Sequence, residues 1–429
     1  MMAITRSKTK SQTIDFVILF DGTGNDDHIK KGEKASISNV VKLRDGLKKT
    51  KDQHVIYKPG IGNDEQWSGL RRWFAQFTGW GGSWVMKEAY KELKAELDQI
   101  LERQDLKPGT KIRISTSGFS RGAALARDFV NSYIYGQLLV DYKQRFIDKD
   151  IKHELGGVFV FDTVPSFGIS ANIWLLTLFG IYNQRIDIGW NFDIPEKATA
   201  VHCVSIDEQR DAFNPRLFKN GPNKLEVWFA GDHSSVGGSY KQEDGESMGA
   251  DVPLAFMAKQ MKKLGLKFVS EFEKMLPQYL QSTGRIERPD RSDWPRTQIK
   301  NRLMQVLDKE GNVSTDTPLI HESVIRRMKA DPNYRPVPVM KLVELDLDNP
   351  YRVFYDTGEI KEYDRAQFAE LYSTENNVGE SIEKSNSKAV VHAYALSQAS
   401  PNSADTSNSA KQAANDGAEN PQKQKAKLV

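Results

Sequence analysis

The stretch Lys111-Ile-Arg-Ile-Ser-Thr-Ser-Gly-Phe-Ser-Arg-Gly-Ala-Ala-Leu-Ala-Arg127 decides the fold. Residues 111–117 alternate as a strand does, whereas residues 123–135 are rich in alanine and carry apolar side chains at helical spacing. Between them Gly118-Phe-Ser-Arg-Gly122 fits G-x-S-x-G, the pattern of a nucleophile elbow. In an elbow the serine, here Ser120, takes a strained backbone conformation that lifts its hydroxyl above the sheet, and the flanking glycines keep side chains out of the crowded turn. The helix that follows aims its positive N-terminus at the place where an oxyanion would form. A pentapeptide of this kind is common by chance, so the strand before it and the helix after it supply the context the pattern needs. The competing reading is an ordinary strand-to-helix turn capped by Ser120.

The chain is long enough, at 429 residues, for one large α/β core or two smaller ones. Its 39% apolar and 27% charged residues are those of a globular protein. The 60 basic and 57 acidic residues are interspersed and leave a net charge of only +3, which gives no reason to expect nucleic acid as a partner. Cys203 is the only cysteine, so neither an intrachain disulfide nor a cysteine-rich metal site can form. No motif calls for a cofactor or a metal. Residues 1–13 are polar and basic and precede only a short apolar run, without the core of a secretory signal. No apolar run approaches the roughly 18 residues that a membrane-spanning helix needs. The expectation is synthesis in the cytoplasm without a signal peptide, with any export by a route that does not read one.

Outward from the elbow, compact apolar strands are expected at 14–20, 54–58, 157–161, 198–206 and 225–230, with helices at 38–48 (capped by Ser38), 83–102 and across 251–283. This order implies an α/β fold, hydrolase-like, with a mostly parallel sheet and helices on both faces. Residues 14–290 form the expected catalytic domain and 291–372 a C-terminal elaboration packed on it. That elaboration has a helix at 321–329, strand-like pieces at 340–345 and 351–355, and a hairpin turn at Asp356-Thr-Gly358. Residues 373–429 turn to Ser, Asn, Ala, Gln and Lys, too polar for a core, and are expected to be largely disordered, with 389–396 a candidate docking piece. Four tryptophans, Trp67, Trp73, Trp80 and Trp84, form an amphiphilic surface or pack against the body. The most apolar segment, 173–182, reads equally as a lid that meets lipid and as a helix buried over the sheet.

In a doubly wound sheet, functional groups gather beyond the C-terminal ends of strands. Asp162 opens the loop after 157–161, where a triad acid belongs, though a turn aspartate is the plain alternative. His233 lies in the glycine-rich loop after 225–230, as a base should. The order Ser120, Asp162, His233 is that of α/β-hydrolases. His202 falls mid-strand and is expected to be packed, and His321 opens a late helix. After the first strand comes Asp21-Gly-Thr-Gly-Asn25, a loop whose amides could face a ligand. No G-K-[ST] follows it, which weakens a phosphate-cradling reading, and no second aspartate accompanies Asp21 to support aspartyl-phosphate chemistry.

Several separated motifs together resemble one family. Leu19-Phe-Asp-Gly-Thr-Gly-Asn25, Tyr57-Lys-Pro-Gly-Ile-Gly62, Gly118-Phe-Ser-Arg-Gly-Ala123, Phe161-Asp-Thr-Val164, Ser205-Ile-Asp-Glu-Gln-Arg210 and Trp228-Phe-Ala-Gly-Asp-His-Ser-Ser-Val-Gly-Gly238 are similar to the α/β-hydrolase family that includes the type VI secretion phospholipase effectors. The likeness covers about residues 14–250, in order. It implies a Ser-Asp-His lipase acting on glycerophospholipids at a membrane surface, injected by contact into the periplasm of a rival cell. Ser120 would be nucleophile, Asp162 acid and His233 base. The family also implies a secretion-spike carrier and an immunity protein as partners. Its histidine loop reads like His-Ser-Asp-Val-Gly-Gly-Gly-Tyr, and here Ser235 and Ser239 replace the aspartate and the last glycine.

The expected reaction is acyl-ester hydrolysis through an acyl-enzyme, the oxyanion held by the amide of Arg121 and by that of Gly22 or Thr23. One rival keeps the triad but takes a soluble ester or a cell-wall acyl group. Another, of a different class, is a non-catalytic interaction protein on a hydrolase scaffold, which gains ground if Ser120 and His233 do not meet.

Overall fold

Strand β1 (Thr13–Phe20) reads Thr-Ile-Asp-Phe-Val-Ile-Leu-Phe, a nearly unbroken apolar run of the kind that parallel strands covered on both faces require. Its even residues, Ile14, Phe16, Ile18 and Phe20, enter one apolar layer, while Val17 and Leu19 enter the opposite one. The computed structural model describes residues 12–22, 36–60, 80–165, 191–241, 248–286, 299–345 and 348–373, all within one compact unit. The readings for the tail, for 173–182, for Trp67 and Trp73 and for Thr23 lie outside the described residues.

After β1 come β2 (Ser36–Ser38), α1 (Asn39–Gly46), β3 (Gln53–Lys58), α2 (Trp80–Leu101) and the elbow strand β4 (Lys111–Phe119). Ser38 caps α1, its hydroxyl accepting from the Val41 amide at 3.2 Å. Helix α3 (Arg121–Phe129) runs on into a π-helical stretch, Val130–Leu138, and then α4 (Leu139–Asp148). The chain continues through β5 (Lys152–Phe161), β6 (Thr199–Ser205), β7 (Lys224–Phe229), a short α5 (His233–Gly237), β8 (Gly238–Lys241), α6 (Asp251–Lys263) and α7 (Ser270–Leu280). Last come β9 (Leu319–His321), α8 (Glu322–Ala330), α9 (Val337–Glu344), β10 (Tyr351–Phe354), β11 (Ile360–Tyr363) and α10 (Arg365–Tyr372).

Nine of these strands form one sheet in the order β11-β10-β9-β7-β6-β5-β4-β1-β3, and every neighbouring pair is parallel except β10 with β11. β2 and β8 make a separate antiparallel ribbon. One face of the central strands is covered by α2, α3 and α4, with Leu93, Leu97 and Leu101 of α2 against Ile112 and Ile114 of β4. The other face is covered by α1, α6 and α7. Each such large side chain contributes about 1.5–3 kcal/mol by leaving water.

The strands after residue 299 continue this same sheet. β9 lies parallel to β7, and the β10–β11 hairpin turns at Gly358, whose φ of 93° is left-handed backbone that glycine adopts without strain. Residues 340–345 correct the strand-like expectation, because 337–344 is a helix. Pro336 caps it, Pro338 sits in its first turn, and Val339, Leu342 and Val343 recur at helical spacing on its buried side. Among the described residues no helix is long and apolar enough to cross a membrane.

Candidate active site

The elbow has the backbone its sequence calls for. Ser120 sits at φ 58° and ψ −123°, a conformation that costs a non-glycine residue about 1–3 kcal/mol and persists only where the surroundings enforce it. Its amide donates to the Phe161 carbonyl at 3.1 Å and its carbonyl accepts from the Val164 amide at 3.2 Å, so the turn is laced to the loop that carries Asp162. Its side chain makes no capping bond to α3, which sets aside the reading of Ser120 as a helix cap. A Cβ on Gly122 would lie 2.3 Å from the carbonyl oxygens of Phe20 and Asp21, and one on Gly118 would lie 2.4 Å from that of Gly122. Both glycines of the motif are there because backbone passes over backbone.

Asp162 and His233 come together from the ends of β5 and β7. Nδ1 of His233 lies 2.6 Å from Oδ2 of Asp162, and both residues are buried. A carboxylate can only accept, so Nδ1 carries a proton, and in the neutral imidazole this leaves the lone pair on Nε2. Nε2 is buried and has no hydrogen-bond partner. The imidazole is held between the rings of Phe119 (centroids 4.6 Å apart) and Phe213 (4.9 Å). Phe119 precedes Ser120, which is itself only 8% exposed. No hydrogen bond joins the Ser120 hydroxyl to His233 in this state.

Asp162 is held from several sides. Asp162 has a φ of 40°, and its carboxylate also accepts from the Ser205 amide at 3.0 Å, from the Ser205 hydroxyl at 3.2 Å and from Arg302 at 2.6 and 2.9 Å. Burial alone would push its carboxyl up. The guanidinium of Arg302 and the imidazole of His233 outweigh that and hold it well below the usual carboxylate range.

Around the histidine the Ser205–Arg210 motif finds its work. Glu208 is fully buried, is bound by Arg210 at 2.7 and 2.9 Å, and accepts the His233 amide at 3.3 Å. Asp207 accepts the Gly231 amide at 2.6 Å and the Tyr334 hydroxyl at 2.6 Å. Asp232 caps α5 through the Ser235 amide at 2.9 Å and is held by the Tyr240 hydroxyl. The loop after β6 thus splints the loop after β7. His202, expected to be packed, is buried between Glu226 (2.8 Å from Nδ1) and the Thr163 amide, which donates to Nε2 at 3.0 Å. His321 caps α8, its Nδ1 accepting the Ser323 amide at 3.2 Å.

The expected oxyanion donors divide. Arg121 opens α3 directly after the elbow. The Gly22 amide donates to Oδ1 of its own neighbour, Asp21, at 2.7 Å in this state. Asp21 is buried and also accepts the Tyr57 hydroxyl at 2.9 Å. Of the four tryptophans, Trp84 on α2 is 40% exposed. Among the described residues no three His, Cys, Asp or Glu side chains gather as a metal-holding group.

Burial pushes the Asp21 carboxyl up to about 6, against hydrogen bonds from Ser38, Gly22 and Tyr57. The native state therefore holds this proton more tightly than the unfolded chain does. The resulting stability is complete below about pH 4 and is lost as pH rises to about 6, roughly 3 kcal/mol in all. Asp21→Asn is expected to flatten that part of the profile. Urea midpoints from pH 4 to 7 check this, and a slope equal to that of the wild type contradicts it.

The model for the catalytic domain of the Tle1-like phospholipase effectors of the type VI secretion system (T6SS) matches residues 15–136 and 137–260, more than half of the chain. The chain belongs to this family. The elbow, Asp162 and His233 all fall inside the matched segment. Two solved structures are also similar at 19% identity. A crystal structure of an uncharacterized protein from Pseudomonas aeruginosa aligns with 63% of this chain and 48% of its own length (TM-score 0.41). The Tle1 effector bound to the VgrG spike from the type VI secretion system aligns with 62% of each chain (TM-score 0.36). The aligned part therefore spans less than two thirds of either structure. No curated protein matches. Where the family pattern has a glycine, Ser239 takes a φ of 88°, the left-handed region that a glycine there would occupy freely.

Proposed function

We propose that this Tle1-like effector hydrolyses acyl esters of glycerophospholipids with Ser120 as nucleophile, His233 as base and Asp162 as acid. The observation that carries this reading is the buried 2.6 Å contact between Nδ1 of His233 and Asp162, beside a serine held at φ 58°. Ser120 attacks the ester carbonyl while Nε2 of His233 takes its proton. Asp162 fixes the tautomer and stabilises the imidazolium. The positive end of α3, with the Arg121 amide, stabilises the oxyanion. His233 then returns the proton to the departing lysophospholipid, and water cleaves the acyl-enzyme by the same steps in reverse order of partners. Nucleophile–base contacts tighten when substrate binds, so an open Ser120–His233 contact in the free state agrees with this chemistry.

As an effector of this family it would ride on a secretion spike, as the Tle1 effector does on VgrG, and act on the membrane of a rival bacterium from the periplasm, with an immunity protein protecting the producer. The open Ser120–His233 contact is also what a non-catalytic scaffold would show. One experiment decides between them. Vesicles of defined phosphatidylethanolamine and phosphatidylglycerol are incubated with the wild type and with Ser120→Ala, and the products are read by mass spectrometry. Fatty acid and lysophospholipid are expected from the wild type alone, with the variant reduced by about 10⁶ in kcat and still folded. Activity confined to short-chain soluble esters would move the substrate class, and equal products from both proteins would remove Ser120 from the reaction.

A further inference from the structure

Asp162 lies in the loop after β5, yet the strongest hold on its carboxylate comes from 140 residues further along the chain. Arg302 is 3% exposed and presents both ends of its guanidinium, Nη1 to Oδ1 at 2.6 Å and Nη2 to Oδ2 at 2.9 Å. Nη1 also donates to the Ser205 carbonyl at 2.9 Å and is 2.6 Å from the Ser205 hydroxyl, while Nη2 reaches the Phe213 carbonyl. The arginine is delivered by backbone. Ile299 pairs antiparallel with Arg210, the Lys300 amide donates to the Gln209 carbonyl at 2.7 Å, and Asn301 accepts from the Gln209 side chain at 2.9 Å. Residues 299–302 are thereby sewn to the loop that also supports His233. They lie beyond residue 260, where the family's catalytic segment ends.

We propose that Arg302 is a positioning residue of the triad, clamping the Asp162 carboxylate toward His233 and sharing its charge. This rests on the reading of Ser120, Asp162 and His233 given above. A buried carboxylate held by Ser205 alone would bind an imidazolium so tightly that the base kept its proton, and its plane would be less firmly set against Nδ1. The bidentate guanidinium removes both faults, because it fixes the plane of the carboxylate and opposes its field at the imidazole. Among the described residues, the other charged or titratable groups on the surrounding elements are Cys203 beneath Asp162, His202 with Glu226, Asp207, Glu208 and Arg210 after β6, Asp232 and Tyr240 around α5, Tyr334 on Asp207, Asp21 at the end of β1 and Arg121 beside the elbow. Glu208 is matched by Arg210, so among the described residues Arg302 is the cation that bears directly on Asp162.

The test measures kcat and KM against pH on phospholipid vesicles for the wild type, Arg302→Gln and Arg302→Lys, with folding checked by circular dichroism. In Arg302→Gln, kcat is expected to fall about 10- to 100-fold with KM unchanged, and the acidic limb of kcat/KM to move up by about one pH unit. Arg302→Lys keeps a charge without the two-point grip, so its limb stays in place while its kcat still falls. A folded Arg302→Gln with the wild-type limb and kcat overturns the proposal. If the glutamine variant does not fold, the lysine variant decides, and wild-type kcat there overturns it. A wild type with no ester hydrolysis overturns the triad reading itself, whereas an active wild type with unaffected variants overturns only the role of Arg302.

Discussion

In Asp162→Asn, ester hydrolysis is expected to fall by about 10⁴ and the protein to lose about 3–5 kcal/mol of stability. The two losses have separate causes. Arg302 offers only donors, so it draws the amide oxygen of the asparagine to itself and turns the amide nitrogen toward His233. Nδ1 must then accept, the ring proton moves to Nε2, and that nitrogen has no lone pair left to take the proton of Ser120. The stability loss arises because Arg302, now beside a neutral amide, is a buried cation left with Ser205 and the Phe213 carbonyl. Pairing the change with Arg302→Met should return most of the stability and none of the rate, a cycle that isolates the ion pair. Vesicle hydrolysis and urea denaturation read the two effects independently. A near-wild-type rate in Asp162→Asn would take this residue out of the chemistry.

Gly122→Ala is expected to cost more than about 4 kcal/mol, a large part of the roughly 5–15 kcal/mol that holds a domain folded. Its added Cβ would sit 2.3 Å from the carbonyl oxygens of both Phe20 and Asp21 and 2.7 Å from the Asp21 carbonyl carbon. Those atoms belong to the end of a strand hydrogen-bonded on both sides, to β3 and to β4, so no rotamer relieves the contact. Poor yield of soluble protein, or a collapsed urea midpoint, is the expected observation. A variant that unfolds at the wild-type midpoint would mean that α3 and β1 stand further apart than described.

Much of this was legible in the residues themselves, and the reasons are local. The elbow is a strand, a turn and a helix in one continuous stretch, so its pattern and its context are read together. Asp162 and His233 each follow an apolar strand, and parallel sheets put such positions at one edge. Arg302 carried no such signal. It sits in irregular chain far from Asp162 in sequence, and the pairing of 299–302 with 209–210 brings it there. Glu208 stood in a motif that was noticed without a role, since nothing local shows that its carboxylate accepts the His233 amide. Residues 340–345 misled because Met-Lys-Leu-Val-Glu-Leu alternates well enough for a strand, while the prolines upstream and the spacing of Val339, Leu342 and Val343 decide for a helix.

The late arrival of residue 302 has a consequence for biosynthesis. A ribosome that has translated the whole family segment has not yet made the guanidinium that completes the acid. On the proposed reading, a nascent chain that has emerged only as far as residue 260 holds Ser120, Asp162 and His233 without the cation that pairs with Asp162.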